Sequence, residues 1–93
     1  MIIILLILLF SMTQSLQLIL YKSSWCKRCS IIESHWNKLK IKHPKVTFKE
    51  INCDESECLD IRGYPTIILY KNNISIPYIG TLNNISNFID NYY

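Results

Sequence analysis

Alanine is absent from the 93-residue chain, valine occurs once, glycine twice and proline three times. So little glycine and proline excludes a collagen-like repeat and an extended disordered tail. Isoleucine, by contrast, occurs 17 times and lysine and asparagine eight times each. That is the pattern of AT-rich coding, so the abundance of Lys and Asn carries no functional signal. Charged residues make up only 18% and leave a net charge of +3. Lys and Arg are interleaved with acids rather than gathered in a stripe, which argues against nucleic acid as a partner. A chain of this length supports one core, not two. Its single long uncharged run, at the N-terminus, excludes a multi-span membrane protein.

Eleven of the first 15 residues are apolar, and Ile2 to Phe10 is uninterrupted before the mostly polar Ser11, Met12, Thr13, Gln14 and Ser15. The run has the length of a signal peptide's apolar segment, and Thr13 and Ser15 are small enough to precede a cleavage before Leu16. On this reading residues 1–15 are an address and residues 16–93 the domain. The protein then belongs to the secretory pathway, in the endoplasmic reticulum lumen or secreted. The lack of Lys or Arg ahead of the run counts against it. Two alternatives stand beside it: residues 2–20 as an uncleaved membrane anchor, and Ile2–Leu9 as a buried strand of a cytoplasmic protein. The sequons Asn73-Ile74-Ser75 and Asn84-Ile85-Ser86 weigh little, since about one arises by chance in such a chain.

Leu16–Tyr21 is apolar and suited to a strand, and Lys22-Ser23-Ser24 ends it in a polar turn rich in helix-capping residues. Ile31, Ile32, His35, Trp36 and Leu39 recur at helical steps, which predicts an amphipathic helix over 26–41, closed by Lys42-His43-Pro44. Val46–Asn52 alternates as a second strand. The short acidic stretch 54–60 has room for one or two helical turns. Thr66–Tyr70 reads as a strand covered on both faces, Lys71-Asn72-Asn73 as a hairpin turn, and Ile74–Ile79 as an edge strand interrupted by Pro77. Ile85, Phe88, Ile89 and Tyr92 mark a closing helix. The order β-α-β-α-β-β-α predicts an α/β fold, a four-stranded mixed sheet flanked by helices on both faces.

Cys26-Lys27-Arg28-Cys29 follows the first strand and opens the first helix. Free N–H groups and the dipole at a helix N-terminus favour a thiolate, and Lys27 and Arg28 add positive charge beside it. Two intervening residues bring Cys29 close enough to attack a mixed disulfide on Cys26. The chemistry is thiol–disulfide exchange. The same spacing is also half of a zinc site, which Cys53-x4-Cys58 would complete, or simply two core cysteines. The strand and helix around it favour exchange, and neither metal nor cofactor is expected. His35 and His43 lack a ligand partner at matched spacing and read as surface residues.

With Trp25-Cys26-Lys27-Arg28-Cys29 and Gly63-Tyr64-Pro65-Thr66, the chain from Leu16 onward resembles the thioredoxin superfamily, matching its WCxxC and its cis-proline loop. The resemblance implies Cys26 as nucleophile and Cys29 as resolving thiol. It also implies a cis Pro65 that holds the Tyr64 backbone against the cysteines. Trp25, Tyr64, Pro65 and Gly80 would form the surface for a peptide substrate, unless the aromatics merely pack. Tyr64 before Pro65, and Cys53 with Cys58 as a second pair, are similar to protein disulfide isomerase domains. Tyr21-Lys22-Ser23-Ser24-Trp25-Cys26 is similar to the opening of a glutaredoxin, a glutathione-dependent reductase, but the Gly-Gly of that family is missing. In an oxidising compartment Cys53 and Cys58 are expected to form a structural disulfide; otherwise they are buried thiols.

The chain departs from the family in several places. Lys-Arg replaces the usual Gly-Pro or Gly-His between the cysteines, which stabilises the reduced thiolate and moves the expected activity toward oxidation or isomerisation. Leu20 stands where the family has a buried acid, Ser34 replaces the kinking proline, and Cys53 to Gly63 is short. Glu50 occupies a position normally held by lysine. It is either a relocated proton acceptor for Cys29 or a solvent-facing carboxylate. The expected protein is thus a monomeric thiol–disulfide oxidoreductase. Its partners are protein or peptide thiols and disulfides and a redox protein that recharges it. Its rival is a redox-inactive module that uses the same fold to bind peptides.

Overall fold

Leu16, Leu18 and Leu20 alternate with Gln17, Ile19 and Tyr21, and in an extended chain this spacing turns the leucines to one side. In the computed structural model, which describes residues 15–92, they form the buried centre of β1 (Leu16–Lys22). The order continues with α1 (Lys27–Lys42), β2 (Val46–Asn52), β3 (Thr66–Lys71), β4 (Ile74–Pro77), a 3-10 turn (Leu82–Asn84) and α2 (Ile85–Asp90). The strands lie in the order β2-β1-β3-β4. β1 runs parallel to β2 and antiparallel to β3, and β4 is antiparallel to β3. This is the mixed four-stranded sheet that the sequence predicts.

The signal peptide, anchor and added strand read for residues 1–15 fall outside the described residues, apart from Ser15. The reading of residues 2–20 as an anchor nevertheless needs correction, because Leu16–Leu20 lie inside β1, between two other strands. No helix among the described residues is long and apolar enough to cross a membrane.

Cys26 is the N-cap of α1, in extended conformation, and its Sγ accepts the Cys29 N–H at 3.2 Å. The helix ends at His43, whose N–H reaches the Leu39 carbonyl at 2.9 Å, because Pro44 cannot follow in helical geometry. Cys29, Ile32, Trp36 and Leu39 form one inward stripe, with Ile32 partly buried and the others fully so. Ile31 does not belong to it. It sits about 100° around the helix from Ile32 and is 56% exposed.

Register pairs Leu18 with Phe48 and Leu69, and Leu20 with Ile67, so these side chains share a sheet face. On that face Trp36 and Leu39 of α1 and Ile85 and Ile89 of α2 join a single core cluster. Both helices therefore cover the same face, not one face each. On the other face Tyr21 and Tyr70 share a hydroxyl hydrogen bond of 2.8 Å. Burial, aided by this bond, pushes the Tyr21 phenol up to about 12. The strand expected to be covered on both sides is asymmetric: Ile67 and Leu69 are buried, Ile68 and Tyr70 only partly.

The short helix expected over 54–60 does not form, so the observed order is β-α-β-β-β-α. Cys53 and Cys58 are joined by a disulfide with their Cα atoms 5.5 Å apart, whereas an α-helix separates positions five apart by roughly 8.7 Å. Ring closure and helix exclude each other here. Asn72 takes positive φ at the hairpin, as its residue type allows. His43, read as a surface residue, is only 2% exposed. As the C-cap it turns inward against α2, with Nε2 2.8 Å from Ser86 Oγ and Nδ1 3.6 Å from Asp90 Oδ1. His35 does stay exposed, beside Ser34.

Candidate active site

The turn from β1 into α1 is short and tied down from both sides. Cys26 N–H donates to the Ser23 carbonyl at 3.2 Å, and Cys53 N–H donates to the Lys22 carbonyl at 2.8 Å. Ser24 N–H donates to Asp54 Oδ2 at 2.8 Å, while Asn52 Nδ2 donates to Ser24 Oγ at 3.1 Å. The Ser24 backbone bond is the chief reason that the Asp54 carboxyl is held below the usual carboxylate range. The end of β2, next to the Cys53–Cys58 ring, thus braces the loop that presents Trp25 and Cys26.

Cys26 and Cys29 are disulfide-bonded across the first turn of α1, Cα atoms 5.3 Å apart. Cys26 keeps 8% of its surface and Cys29 only 1%, so an incoming group meets Cys26 first. Once reduced, the Cys26 sulfur faces the Cys29 N–H and the positive end of the helix dipole. No acid lies in that first turn, where Lys27 and Arg28 are both exposed. The arrangement stabilises a thiolate at Cys26.

Trp25 is 74% exposed and meets Tyr64 edge to face, ring centroids 6.0 Å apart. The Tyr64–Pro65 peptide bond is cis, and Thr66 Oγ1 donates to the Gly63 carbonyl at 2.6 Å, closing this loop. Tyr64, Pro65 and Gly80 line one groove of about 350 Å³ together with Arg28, Ile31, Ile32 and Leu82. Three residues singled out in the sequence as a binding surface are therefore adjacent, with Trp25 beside Tyr64. Ile31 and Leu82 were missed as groove residues: helical periodicity counts Ile31 toward the core, and Leu82 lies ahead of the stripe that marks the closing helix. The clue to Ile31 was its offset from the Cys29–Ile32–Trp36–Leu39 line. At Gly80 a Cβ would lie 2.7 Å from the Tyr78 hydroxyl, which donates to the Thr81 carbonyl.

Glu50 departs from the proton-acceptor reading. Its side chain is 32% exposed, with Oε1 3.5 Å from Lys22 Nζ. Lys22 also pairs with Glu33 at 2.9 Å, and that hydrogen bond is the largest cause of the raised Lys22 pKa. An edge strand at the sheet margin lets the carboxylate keep water and a cation, the less costly of the two states open to it. The four cysteines form two separate bonded pairs, and among the described residues no three His, Cys, Asp or Glu side chains gather as a metal site.

A mixed four-stranded sheet with a Cys-x-x-Cys pair at the start of its first helix and a proline loop beside it defines a thioredoxin-fold protein. The Thioredoxin family model matches residues 9–91, and the chain belongs to that family. A thioredoxin of Ophiophagus hannah is 32% identical over 57 residues, covering 57% of this chain and 54% of the relative. The chain thus spans about half the length of that relative. Among solved structures, the mitochondrial thioredoxin 3 of Saccharomyces cerevisiae in oxidised form superposes with TM-score 0.73 at 27% identity, over 83% of this chain and 78% of that one. The germline-specific thioredoxin Deadhead of Drosophila melanogaster shares the fold, with TM-score 0.75 at 22% identity over 85% of this chain and 82% of that one.

Proposed function

We propose that this chain is a thiol–disulfide oxidoreductase acting on protein or peptide substrates through Cys26 and Cys29. The observation that carries the reading is the cysteine pair itself, bridged across a helix N-terminus with the more accessible sulfur at the N-cap. In the reducing direction the Cys26 thiolate attacks a substrate disulfide, forming a mixed disulfide and releasing one substrate thiolate. Cys29, deprotonated, then attacks the Cys26 sulfur and releases the second. Two electrons pass to the substrate and the Cys26–Cys29 disulfide remains, and oxidation of a substrate dithiol is the reverse sequence. Trp25, Tyr64, Pro65 and Gly80 serve as the peptide-binding surface, and a second redox protein recharges the pair.

The finer reading is an oxidant or isomerase, like a protein disulfide isomerase domain, in the secretory pathway. Lys27 and Arg28 support it because they stabilise the reduced thiolate and so raise the reduction potential. The Cys53–Cys58 disulfide and the apolar run Ile2–Phe10 support an oxidising compartment.

Insulin reduction and refolding of scrambled ribonuclease test the activity. Cys26→Ser is expected to bring both to the uncatalysed rate, and Cys29→Ser to accumulate mixed disulfides with substrate. Catalysis undiminished by Cys26→Ser would overturn the reading. Mass spectrometry of the N-terminus in the native cell tests the compartment. A start at Leu16 supports export, whereas a retained Met1 in soluble protein supports a cytoplasmic reductase.

A further inference from the structure

Arg28 stands between the two cysteines, and among the described residues it is the one cation on the wall of the groove that holds Tyr64, Pro65, Gly80 and Leu82. Ile31, Ile32 and Leu82 contribute aliphatic side chains to the same wall. Among the described residues no acid pairs with the Arg28 guanidinium; the ion pairs there join Lys22 to Glu33 and Glu50, and His43 to Asp90. An exposed planar fork of five N–H donors beside apolar surface fits a carboxylate in two-point geometry. Ile31, 56% exposed on the next turn, supplies apolar surface beside it. An extended peptide advances roughly 3.3 Å per residue. A carboxylate one to three residues from a cysteine engaged at Cys26 therefore spans the distance to a side chain two positions along the helix.

We propose that Arg28 selects substrates bearing Asp or Glu within three residues of the reacting cysteine, with an apolar neighbour seated against Ile31 and Leu82. This rests on the oxidoreductase reading and names the substrate class of that same groove. Arg28 then has two separable effects. Its field at Cys26 changes the rate for every substrate alike, whereas its contact with a substrate carboxylate changes the ratio between substrates.

The test measures second-order rate constants of the reduced full-length protein with disulfide-linked peptides that differ only by Glu, Gln or Lys two residues before or after the cysteine. The expected order in at least one of the two series is Glu, Gln, Lys, with about a fivefold span at low ionic strength that narrows in high salt. Arg28→Gln is expected to level that series and Arg28→Glu to invert it. Lys27→Glu, the same charge change outside the groove wall, should shift all rates together and keep the order. Equal rates in both series, or an order that survives Arg28→Glu, would overturn the assignment while leaving the oxidoreductase reading intact. Absence of Cys26-dependent exchange with every peptide overturns that reading and this inference with it.

Discussion

Gly80 lacks a side chain because Tyr78 fills the space one would need. The Tyr78 ring leans on Phe88, centroids 4.9 Å apart, and its hydroxyl is held by the Thr81 carbonyl. Gly80→Ala must displace that ring, so a loss of about 1–3 kcal/mol in stability is expected, read as a lower unfolding midpoint together with slower exchange at the deformed groove. A stability equal to wild type would show that Tyr78 moves freely. Glu50 leads to the opposite expectation. One-third exposed and paired only at 3.5 Å to a lysine that Glu33 also holds, it contributes within about 1 kcal/mol. Glu50→Gln should leave the pH profile of disulfide resolution in place across neutral pH. A moved profile would restore the proton relay. No single-residue signal in the sequence separated these two carboxylate readings, because burial at a strand margin depends on which neighbours arrive there.

The Cys53–Cys58 ring takes the place of a helix and acts through its neighbours. It stands at the end of β2, where Asn52 and Asp54 hold Ser24 ahead of Trp25 and Cys26. Opening a ring of this size releases chain entropy worth roughly 2 kcal/mol. The double variant Cys53→Ser with Cys58→Ser is therefore expected to melt at lower temperature and to react more slowly at Cys26. An unchanged melt would mean that the ring constrains nothing in the unfolded chain. Elements with local signals were legible: β1 from its apolar run, the C-terminal end of α1 from Pro44, and the hairpin from Asn72 and Asn73; the N-cap of α1 is Cys26 and not one of the serines before it. The stretch 54–60 was not, since acidic composition suits a helix turn until the cysteines at its ends are known to bond.

One sheet face carries both helices, and His43 joins them, buried at the end of α1 against Ser86 and Asp90 of α2. Burial, opposed by Asp90, holds its pKa below the ordinary 6.5. The unfolded chain then binds the proton more readily, so the stability tied to neutral His43 is complete above pH 6.5 and is lost as pH falls toward the folded-state value. The depressed Asp54 adds a loss of the same sign at lower pH, below its unfolded value of 3.8. Thermal melts between pH 7.5 and pH 5 are expected to decline from about pH 6.5 downward. A midpoint flat across that range would refute the linkage.

The chemistry proposed for this protein rests on local features: the spacing of Cys26 and Cys29, the cations between them and the strand-to-helix turn that holds them involve a few consecutive residues and are readable without coordinates. Tyr64, Pro65 and Gly80 were recognisable as types, but their adjacency to Arg28 and Ile31 arises only when β3, β4 and α1 are assembled. The burial of His43 and the exposure of Glu50 depend likewise on contacts between residues 28 or more positions apart, and the placing of both helices on one face depends on the core cluster that joins them to the sheet. Packing selects among conformations that local propensity leaves nearly equal, and in this chain it set the shape and charge of the groove rather than the identity of the reacting atoms.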